Sequence, residues 1–468
     1  MEQQPQSAAY LGQTPIGKLL PKFSVPCVMS LLVSALYNIV DQIFIGQSAA
    51  GYLGNAATNV VYPFTVVALA LALLVGDGAA ALLSLSQGRG DDETGRRAVG
   101  SAITLSVIIG VVLAAIGLLF MEPILSLFGV TPNCHDFAVQ YMSIICLGIP
   151  FYIITNGLNA SIRADGAPTY AMISTVVGAV INLVCDPIAI FVLGWGVAGA
   201  AWATILGQVV TAVLALIYFR KPKTFRLTAP DFVPRASVLS KTLSIGLPSL
   251  IIQMAIVIIM TVANTLIGIY GPQSVYGADI PLAVIGIVMK VFGIVVSIAI
   301  GIALGGQPII GYSFGAGDGK RVFQVYRYIL VSVLVVGLIA MAIFEFCPQI
   351  IITLFGSEGE LYNEFARLCF RVFLSGIALT CIQKASSIFL QALGKPGQST
   401  LVSLARDVIF FVPAIIIFAR VGGITGMLWA APVADVLSVI LAFSLIIPLR
   451  RKYCKDGVPS AGPTEAQS

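Results

Sequence analysis

Charged residues and histidine are scarce in this chain of 468 residues. Asp, Glu, Lys and Arg together make up 10% of the sequence, and His135 is its one histidine. Soluble domains carry about 25% charged residues, so the composition excludes an ordinary water-soluble fold. A single histidine in a predicted loop also argues against a histidine-ligated metal or haem centre.

Paired cysteines, nucleotide-binding loops and catalytic motifs are absent as well. The eight cysteines are scattered without a C-x-x-C pair, which argues against a disulfide or zinc framework. The glycine strings at 88–91 and 315–318 lack the lysine of a phosphate-binding loop, which disfavours an ATP-driven pump. The sequence also lacks an H-E-x-x-H motif, which would indicate an intramembrane metalloprotease. We therefore expect neither an enzyme nor a cofactor.

Long hydrophobic runs are what the sequence contains instead. Residues of apolar type make up 58% of the chain, in about twelve runs of roughly 20 residues, each long enough to cross a bilayer about 30 Å thick. The sequence thus predicts an all-α polytopic membrane protein whose partner is the lipid bilayer. The formal charge of +5 is no sign of nucleic-acid binding, because the basic residues lie in short connections. The predicted segments are a tail at 1–20, six helices in 21–219, a linker at 220–241, six helices in 242–449 and a tail at 450–468.

Three short motifs occur twice, in the same order, about 220 to 230 residues apart. The pattern G-x-x-G-x-x-W-A stands at 196–203 and again at 423–430. The further pairs are 163–168 with 391–396, and 40–46 with 262–268. Transporters with duplicated halves bind substrate between the repeats, near the membrane midplane. The repeat therefore predicts a transporter.

Basic residues indicate the orientation of the predicted helices. They concentrate in alternate connections, among them Lys18, Lys22, the linker and Arg450. Basic loops stay in the cytoplasm, so we expect both termini to be cytoplasmic.

The first half places acidic residues inside predicted spans without a basic residue at similar depth. An ionised side chain there costs about 2.5–3.5 kcal/mol, and an unpaired carboxylate holds a proton or binds a cation. At about 1.5 Å per residue, Asp41, Asn182, Asp186 and Thr204 lie at similar depths. Their hard oxygen ligands suit a proton or a small hard cation. These four residues are the predicted coupling-ion site.

Other polar residues of the first half are candidates for a substrate cavity. They are Asp77, Tyr141, Asn156 and Gln208. Asp77 has two interpretations, since it lies near the cytoplasmic end of its span and could instead reach the membrane interface. Met, Phe and Tyr side chains could form an adaptable apolar wall.

The second half carries both signs of charge inside its spans. Arg406 and Asp435 fall at similar depth, which predicts an intramembrane ion pair, with Lys290 as the alternative partner of Asp435. Two roles stay open for this pair: it locks the second half structurally, or it re-pairs as a gate during transport.

Taken together, the motifs resemble those of the multidrug and toxic compound extrusion (MATE) family of bacterial transporters, over residues 15–450. The segments that carry the resemblance are Pro26, 37–41, 163–166, 182–187, 196–203, 403–406 and 432–435. The resemblance implies two pseudo-symmetric six-helix lobes around a V-shaped central cavity, in the bacterial inner (plasma) membrane. It also implies that Asp41, Asn182, Asp186 and the hydroxyl of Thr204 bind H⁺ or Na⁺, and that Pro26 bends the first span. Asp77 departs from the family, which usually has a small or neutral residue there.

The expected function is secondary antiport. We expect a monomer that exports amphipathic, cationic, drug-like organic molecules in exchange for protons or sodium ions. The alternative is a flippase for a lipid-linked saccharide or cell-wall precursor. A flippase would favour several basic residues in the cavity to hold a pyrophosphate, and the first half has none at depth.

Overall fold

A computed structural model describes residues 10–48, 51–128, 130, 132–277, 279–355 and 359–455. In these ranges the chain forms helices and turns, and no strand occurs among them. Only helices and closed barrels can satisfy every backbone hydrogen bond within a membrane. The apolar runs of this chain therefore become helices.

Helices of the first half follow the predicted order. Pro15 precedes the first long helix, and Asp91 caps α4 by accepting a hydrogen bond from the backbone of Thr94. The helices are α1 (Tyr10–Gln13), α2 (Ile16–Gln47), α3 (Gly51–Arg89), α4 (Asp92–Leu119), α5 (Met121–Leu127), α6 (His135–Ala164), α7 (Pro168–Pro187) and α8 (Gly196–Tyr218).

The second half repeats this plan with more interruptions. Asp318 caps α11 as Asp91 caps α4. The helices are α9 (Ala236–Tyr270), α10 (Asp279–Gly315), α11 (Gly319–Phe346), α12 (Pro348–Phe355), α13 (Glu360–Leu368), α14 (Ile377–Ala392), α15 (Pro396–Leu404), α16 (Phe411–Met427) and α17 (Ala430–Lys455).

The number of apolar spans agrees with the prediction of about twelve. Within the described ranges, eleven helices are long and apolar enough to cross a membrane, and a bent pair makes a twelfth. That pair, Glu360–Phe373 and Ile377–Ala392, bends by 47°. Two helix starts differ from the predicted segments: α2 begins at Ile16, inside the predicted tail, and α9 begins at Ala236, inside the predicted linker.

The two halves contact each other on the side of the molecule that holds the linker, called the linker side below. Gly305 of α10 packs against Ser24 of α2, and Ser24 Oγ donates a hydrogen bond to the Ile302 carbonyl at 3.1 Å. From Val28 to Phe44, by contrast, no residue of α2 is buried. The halves therefore diverge toward the opposite side, called the distal side, and enclose the V-shaped opening that was predicted.

Asp165, in the turn between α6 and α7, anchors the start of the linker. Its carboxylate accepts hydrogen bonds from the Tyr218 hydroxyl, from the backbone amides of Lys223 and Thr224, and from the Thr224 hydroxyl. Burial raises the pKa of Asp165, while these donors lower it. The connection between the halves is thus attached to the first half.

Candidate functional site

Side chains from two helices of the first half form a hydrogen-bonded cluster. Asn182 Nδ2 donates to Asp186 Oδ1 and to Thr204 Oγ1, at 3.3 Å in each case. Asn182 and Asp186 share a face of α7 because they are one turn apart, and Thr204 comes from α8. Three of the four predicted coupling-ion residues are therefore in direct contact.

Asp41 of α2 completes the cluster. Its carboxyl group lies next to that of Asp186. Within the described part of the chain, no lysine or arginine forms an ion pair with either residue. Two adjacent carboxylates repel each other strongly away from water, so a proton or a cation between them stabilises the arrangement.

Three buried oxygen atoms of this cluster accept no hydrogen bond from any donor among the described residues. They are Asp41 Oδ1, Asn182 Oδ1 and Asp186 Oδ2. Buried polar atoms are almost always hydrogen-bonded, so three exceptions within one cluster require a physical reason. A small hard cation binds carboxylate and amide oxygens, and a proton turns one carboxyl group into a donor for another oxygen.

The helix that carries Asn182 and Asp186 changes its winding directly beyond them. Pro187 follows Asp186, and residues Ile188–Val192 form a π-helical turn. Proline has no amide hydrogen to donate inside a helix, and π-helical turns are frequent at functional sites. The distal end of this span is thus irregular beside the acidic cluster.

Two tyrosines lie close to the acidic pair. Tyr37 stands one turn before Asp41 in α2, and Tyr141 of α6 approaches both Asp41 and Asp186. The sequence predicts Tyr141 as a cavity residue. Tyr37 is not among the predicted site residues, although its four-residue separation from Asp41 puts it on the same helix face. The structure places both aromatic rings at the acidic cluster.

The remaining cavity candidates, Asn156 of α6 and Gln208 of α8, form no hydrogen bond with the acidic cluster among the described residues. Asn156 is half-buried and donates to the Tyr152 carbonyl of its own helix at 2.9 Å. Gln208 is half-buried as well, with its side chain oxygen beside Gly148. Their substrate-binding roles stay predictions.

Asp77 lies in the contact between the halves rather than at the interface with the surrounding membrane. It is buried, and its Oδ2 accepts a hydrogen bond from Ser249 Oγ of α9 at 2.8 Å. Ser249 in turn accepts one from Gln391 of α14 at 3.0 Å. In this conformation Asp77 joins the halves where they close. A role in the cavity stays a prediction.

The second half contains a buried cluster of two acids and two bases. Arg406 Nε lies 2.9 Å from Asp435 Oδ1, so the predicted ion pair is present. Arg406 Nη1 also lies 3.0 Å from Asp407 Oδ1, and Lys384 Nζ lies 2.6 Å from Asp407 Oδ2. Thr380 donates to Asp435 at 2.8 Å. These charges cancel within the cluster, which we call the neutral cluster.

The alternative pairing of Lys290 with Asp435 is wrong for this conformation. Phe292 of α10 faces the Arg406 guanidinium at 5.3 Å. Lys290, two residues earlier and therefore about 200° around the helix, is exposed. The helix directs it away from the neutral cluster.

Pro26 lies buried inside α2, which runs without interruption from Ile16 to Gln47. The carbonyl of Pro26 accepts a hydrogen bond from Ser30 Oγ at 2.9 Å. A role of Pro26 in bending this helix stays a prediction.

Known proteins similar to this chain are transporters, both by sequence and by structure. The chain is 25% identical to the multidrug export protein MepA of Staphylococcus haemolyticus, over 96% of this chain and 97% of that protein. MepA of Staphylococcus aureus matches at 25% identity with the same coverage. Among solved structures, a MOP superfamily transporter from Pyrococcus furiosus superposes with a TM-score of 0.88 at 24% identity, covering 97% of this chain and all of that one. An outward-facing multidrug resistance MATE family transporter gives a TM-score of 0.88 at 24% identity, over 96% of this chain.

The family model named MatE matches residues 26–188 and 248–416, one stretch in each half. These stretches contain Asp41, Asn182 and Asp186 and make up more than half of the chain. The protein is therefore a multi-pass membrane protein that belongs to the MatE family of transporters.

Proposed function

We propose that this protein is a secondary antiporter that exports amphipathic, cationic organic molecules in exchange for protons or sodium ions. The observation that carries the proposal is a set of three buried oxygens, on Asp41, Asn182 and Asp186, that have no hydrogen-bond donor among the described residues. A cluster of oxygens with two adjacent acids suits a cation and is a poor site for an anion. The MepA relatives are multidrug export proteins, which supports a drug-like substrate.

Exchange follows from competition for the same negative charge. When a proton or sodium ion binds between Asp41 and Asp186, the first half loses its attraction for a cationic substrate. When the ion leaves, the pair attracts the substrate again. The tyrosine rings of Tyr37 and Tyr141 beside the pair provide faces that attract cations. Ion and substrate thus oppose each other's binding, and this negative coupling is reciprocal.

Alternating exposure of the cluster to the two sides of the membrane completes the cycle. In the present conformation the halves close on the linker side and open on the distal side. The positive-inside rule supports a cytoplasmic linker and cytoplasmic termini, so this state faces outward. Ion binding from outside would then favour the return to the inward-facing state. We place the protein in the bacterial inner membrane.

Transport in liposomes with imposed gradients tests this function. Asp41→Asn and Asp186→Asn each remove one negative charge, so we expect ion-driven transport of a cationic dye to fall to the level of protein-free liposomes. Asp92→Asn makes the same chemical change at an exposed residue in the first turn of α4 and should leave transport intact.

Separate proton and sodium gradients identify the coupling ion. Transport that depends on neither gradient, or wild-type transport by both Asp41→Asn and Asp186→Asn, contradicts the proposal. Dye binding that becomes weaker as the coupling ion is added would support the negative coupling between ion and substrate.

A further inference from the structure

Asp77 is a buried acidic residue that the proposed exchange does not use. It lies in α3, whereas the acidic cluster is carried by α2, α7 and α8, and its side chain is buried, with 5% of the residue exposed. An ionised carboxyl group inside a membrane span carries an insertion cost of about 2.5–3.5 kcal/mol. The position of Asp77 therefore requires a physical explanation of its own.

The backbones of α3 and α9 are in direct contact on both sides of Asp77. A Cβ on Gly78 would collide with the Thr242 carbonyl, and a Cβ on Gly246 would collide with the Leu74 carbonyl. Since α3 belongs to the first half and α9 to the second, Asp77 lies in a contact that closes the linker side. The two backbones leave no space for a layer of water at these points, so the carboxyl group of Asp77 lies in a dry environment.

One donor of the second half reaches the carboxyl group of Asp77. Ser249 Oγ lies 2.8 Å from Asp77 Oδ2, and Gln391 donates to Ser249 at 3.0 Å. Asp77 Oδ1 is buried and accepts no hydrogen bond from any donor among the described residues. An ionised carboxylate offers about four acceptor positions, so a single hydroxyl donor satisfies it poorly.

The charged group that acts on Asp77 is Arg163, which is half-buried at the end of α6. It attracts negative charge on Asp77, but within the described ranges no lysine or arginine forms an ion pair with this residue. Among the described residues of the other helices packed on α3, which are α2, α4, α9, α10 and α14, no further titratable group acts on Asp77. A proton on the carboxyl group would remove a buried charge that has no close partner.

The equivalent contact between α2 and α10 uses an acceptor that does not titrate. The sequence repeat pairs the end of α2 with the end of α9, so α10 corresponds to α3. Ser24 of α2 donates to the Ile302 carbonyl of α10 at 3.1 Å, and in the same way Ser249 of α9 meets the carboxyl group of Asp77. Each contact between the halves thus contains a serine, but the one between α3 and α9 also contains a group that can bind a proton.

We propose that Asp77 is a second proton-binding site, separate from the acidic cluster, and that its proton holds the linker side closed. A proton from water on the linker side forms an O–H bond with the carboxyl group as the halves close. It returns to that water when the halves separate and water solvates the carboxylate. The inference rests on the proposed alternating opening of the two sides.

The proton on Asp77 and the closure of the linker side are thermodynamically linked. Because the closed state binds one proton more than the open state at Asp77, acidification favours closure. A proton on the acidic cluster acts in the opposite direction, since in the proposed cycle it favours the inward-facing state. The sign of the pH dependence therefore separates the two sites.

Spin labels at the distal ends of the halves measure the balance between the two states. The labels are attached at Val192→Cys and Val421→Cys, both exposed positions, in a background without the eight natural cysteines. The protein also carries Asp41→Asn and Asp186→Asn, so that the acidic cluster does not titrate. We expect the ratio of the state closed on the linker side to the open state to rise about tenfold per pH unit of acidification, over the range in which Asp77 binds its proton.

Asp77→Asn keeps the size of the side chain and removes its titration. This change should make the ratio independent of pH within about twofold and should keep the linker side closed at alkaline pH. Asp92→Asn alters an exposed acid in the first turn of α4 and should leave the pH dependence unchanged. Infrared spectra of the closed state should contain the carbonyl band of a protonated carboxyl group, which Asp77→Asn removes and Asp92→Asn retains.

The outcomes separate the proton site from the proposed function. Loss of the pH dependence and of the infrared band in Asp77→Asn, with both retained in Asp92→Asn, supports the site. Equal pH dependence with and without Asp77→Asn, or closure favoured by alkaline pH, overturns it. Absence of the band before Asp77 is changed overturns it as well, even where the halves do not exchange. Failure of the wild type to couple export to an ion gradient, with the effect of Asp77→Asn intact, overturns the proposed function alone.

Discussion

At the scale of single residues, partners decide what a buried charge does. Asp186 and Asp435 are both almost fully buried aspartates within the membrane. Asp435 is bonded to Arg406 and Thr380, so its charge is neutralised within the protein. Asp186 faces a second acid and an amide instead, and in the proposed function a proton or sodium ion would supply the neutralising charge. The same residue type is paired within the protein in one half and is a proposed ion ligand in the other.

The stability of the protein should depend on every charge of the neutral cluster having its partner. Arg406→Gln leaves Asp435 and Asp407 with one base between them, and an unpaired buried charge costs about 3–5 kcal/mol. We expect a large fall in the melting temperature of the detergent-purified protein. The double variant Arg406→Gln with Asp435→Asn removes both charges and should recover most of the loss. A stable but transport-inactive double variant would instead favour a gating role for the pair.

The limits of sequence analysis are also visible at single residues. The sequence predicts that Asp41, Asn182, Asp186 and Thr204 lie at similar depth in the membrane, because depth can be calculated from the helical rise and the ends of each helix. The bond between Asp77 and Ser249 joins residues 172 positions apart in different halves. The residue pattern within either helix does not predict this hydrogen bond, because the bond depends on how the two halves pack against each other.

At the scale of elements, close packing of α2 against α10 closes the linker side. Gly305 allows the backbones to meet, because a Cβ there would lie 2.5 Å from Ser24 Cα. The sequence predicted both helices from their apolar runs, and the structure confirms them. The contact between Gly305 and Ser24 could not be predicted from the sequence, because a small residue at a helix surface does not indicate which other helix will pack against it.

A methyl group at Gly305 should therefore weaken closure. Overpacking of a tight contact costs about 1–3 kcal/mol, so Gly305→Ala should shift the protein away from the state closed on the linker side. The measurement is maleimide labelling of a cysteine at position 84, introduced as Ser84→Cys in a background without the eight natural cysteines. Ser84 is buried beside Gly311 where α3 packs against α10, also between the two halves. Labelling should become faster. Gly293→Ala is the control in the same helix, since nothing lies within 4 Å of its added Cβ, and equal labelling in both variants would contradict the expectation.

At the scale of the whole molecule, the short helix α1 connects the two halves on the linker side. Arg321 of α11 donates through Nη2 to the carbonyls of Leu11 at 2.7 Å and Thr14 at 2.6 Å. Tyr10 lies against Gly166 of the first half. Burial, together with the charge of Asp165, raises the pKa of Tyr10 to about 12, so its hydroxyl stays protonated at neutral pH. The proposed alternating access would require these contacts to break, so we expect α1 to stabilise the present state.

Removal of the bond between α1 and the second half should shift the balance of the whole molecule. Arg321→Gln loses two hydrogen bonds from a charged donor, each worth about 1.5 kcal/mol or more, so the ratio of the state open on the linker side to the closed state should rise about a hundredfold or more. Spin labels at Val192→Cys and Val421→Cys, both exposed at the distal ends of the halves, report this change as a new, shorter distance. Arg327→Gln alters an exposed arginine of the same helix and should leave the distances unchanged. An unaltered distance distribution in Arg321→Gln would mean that α1 does not hold the halves together, and that interhelical contacts such as Ser24 with Gly305 alone maintain the closed linker side.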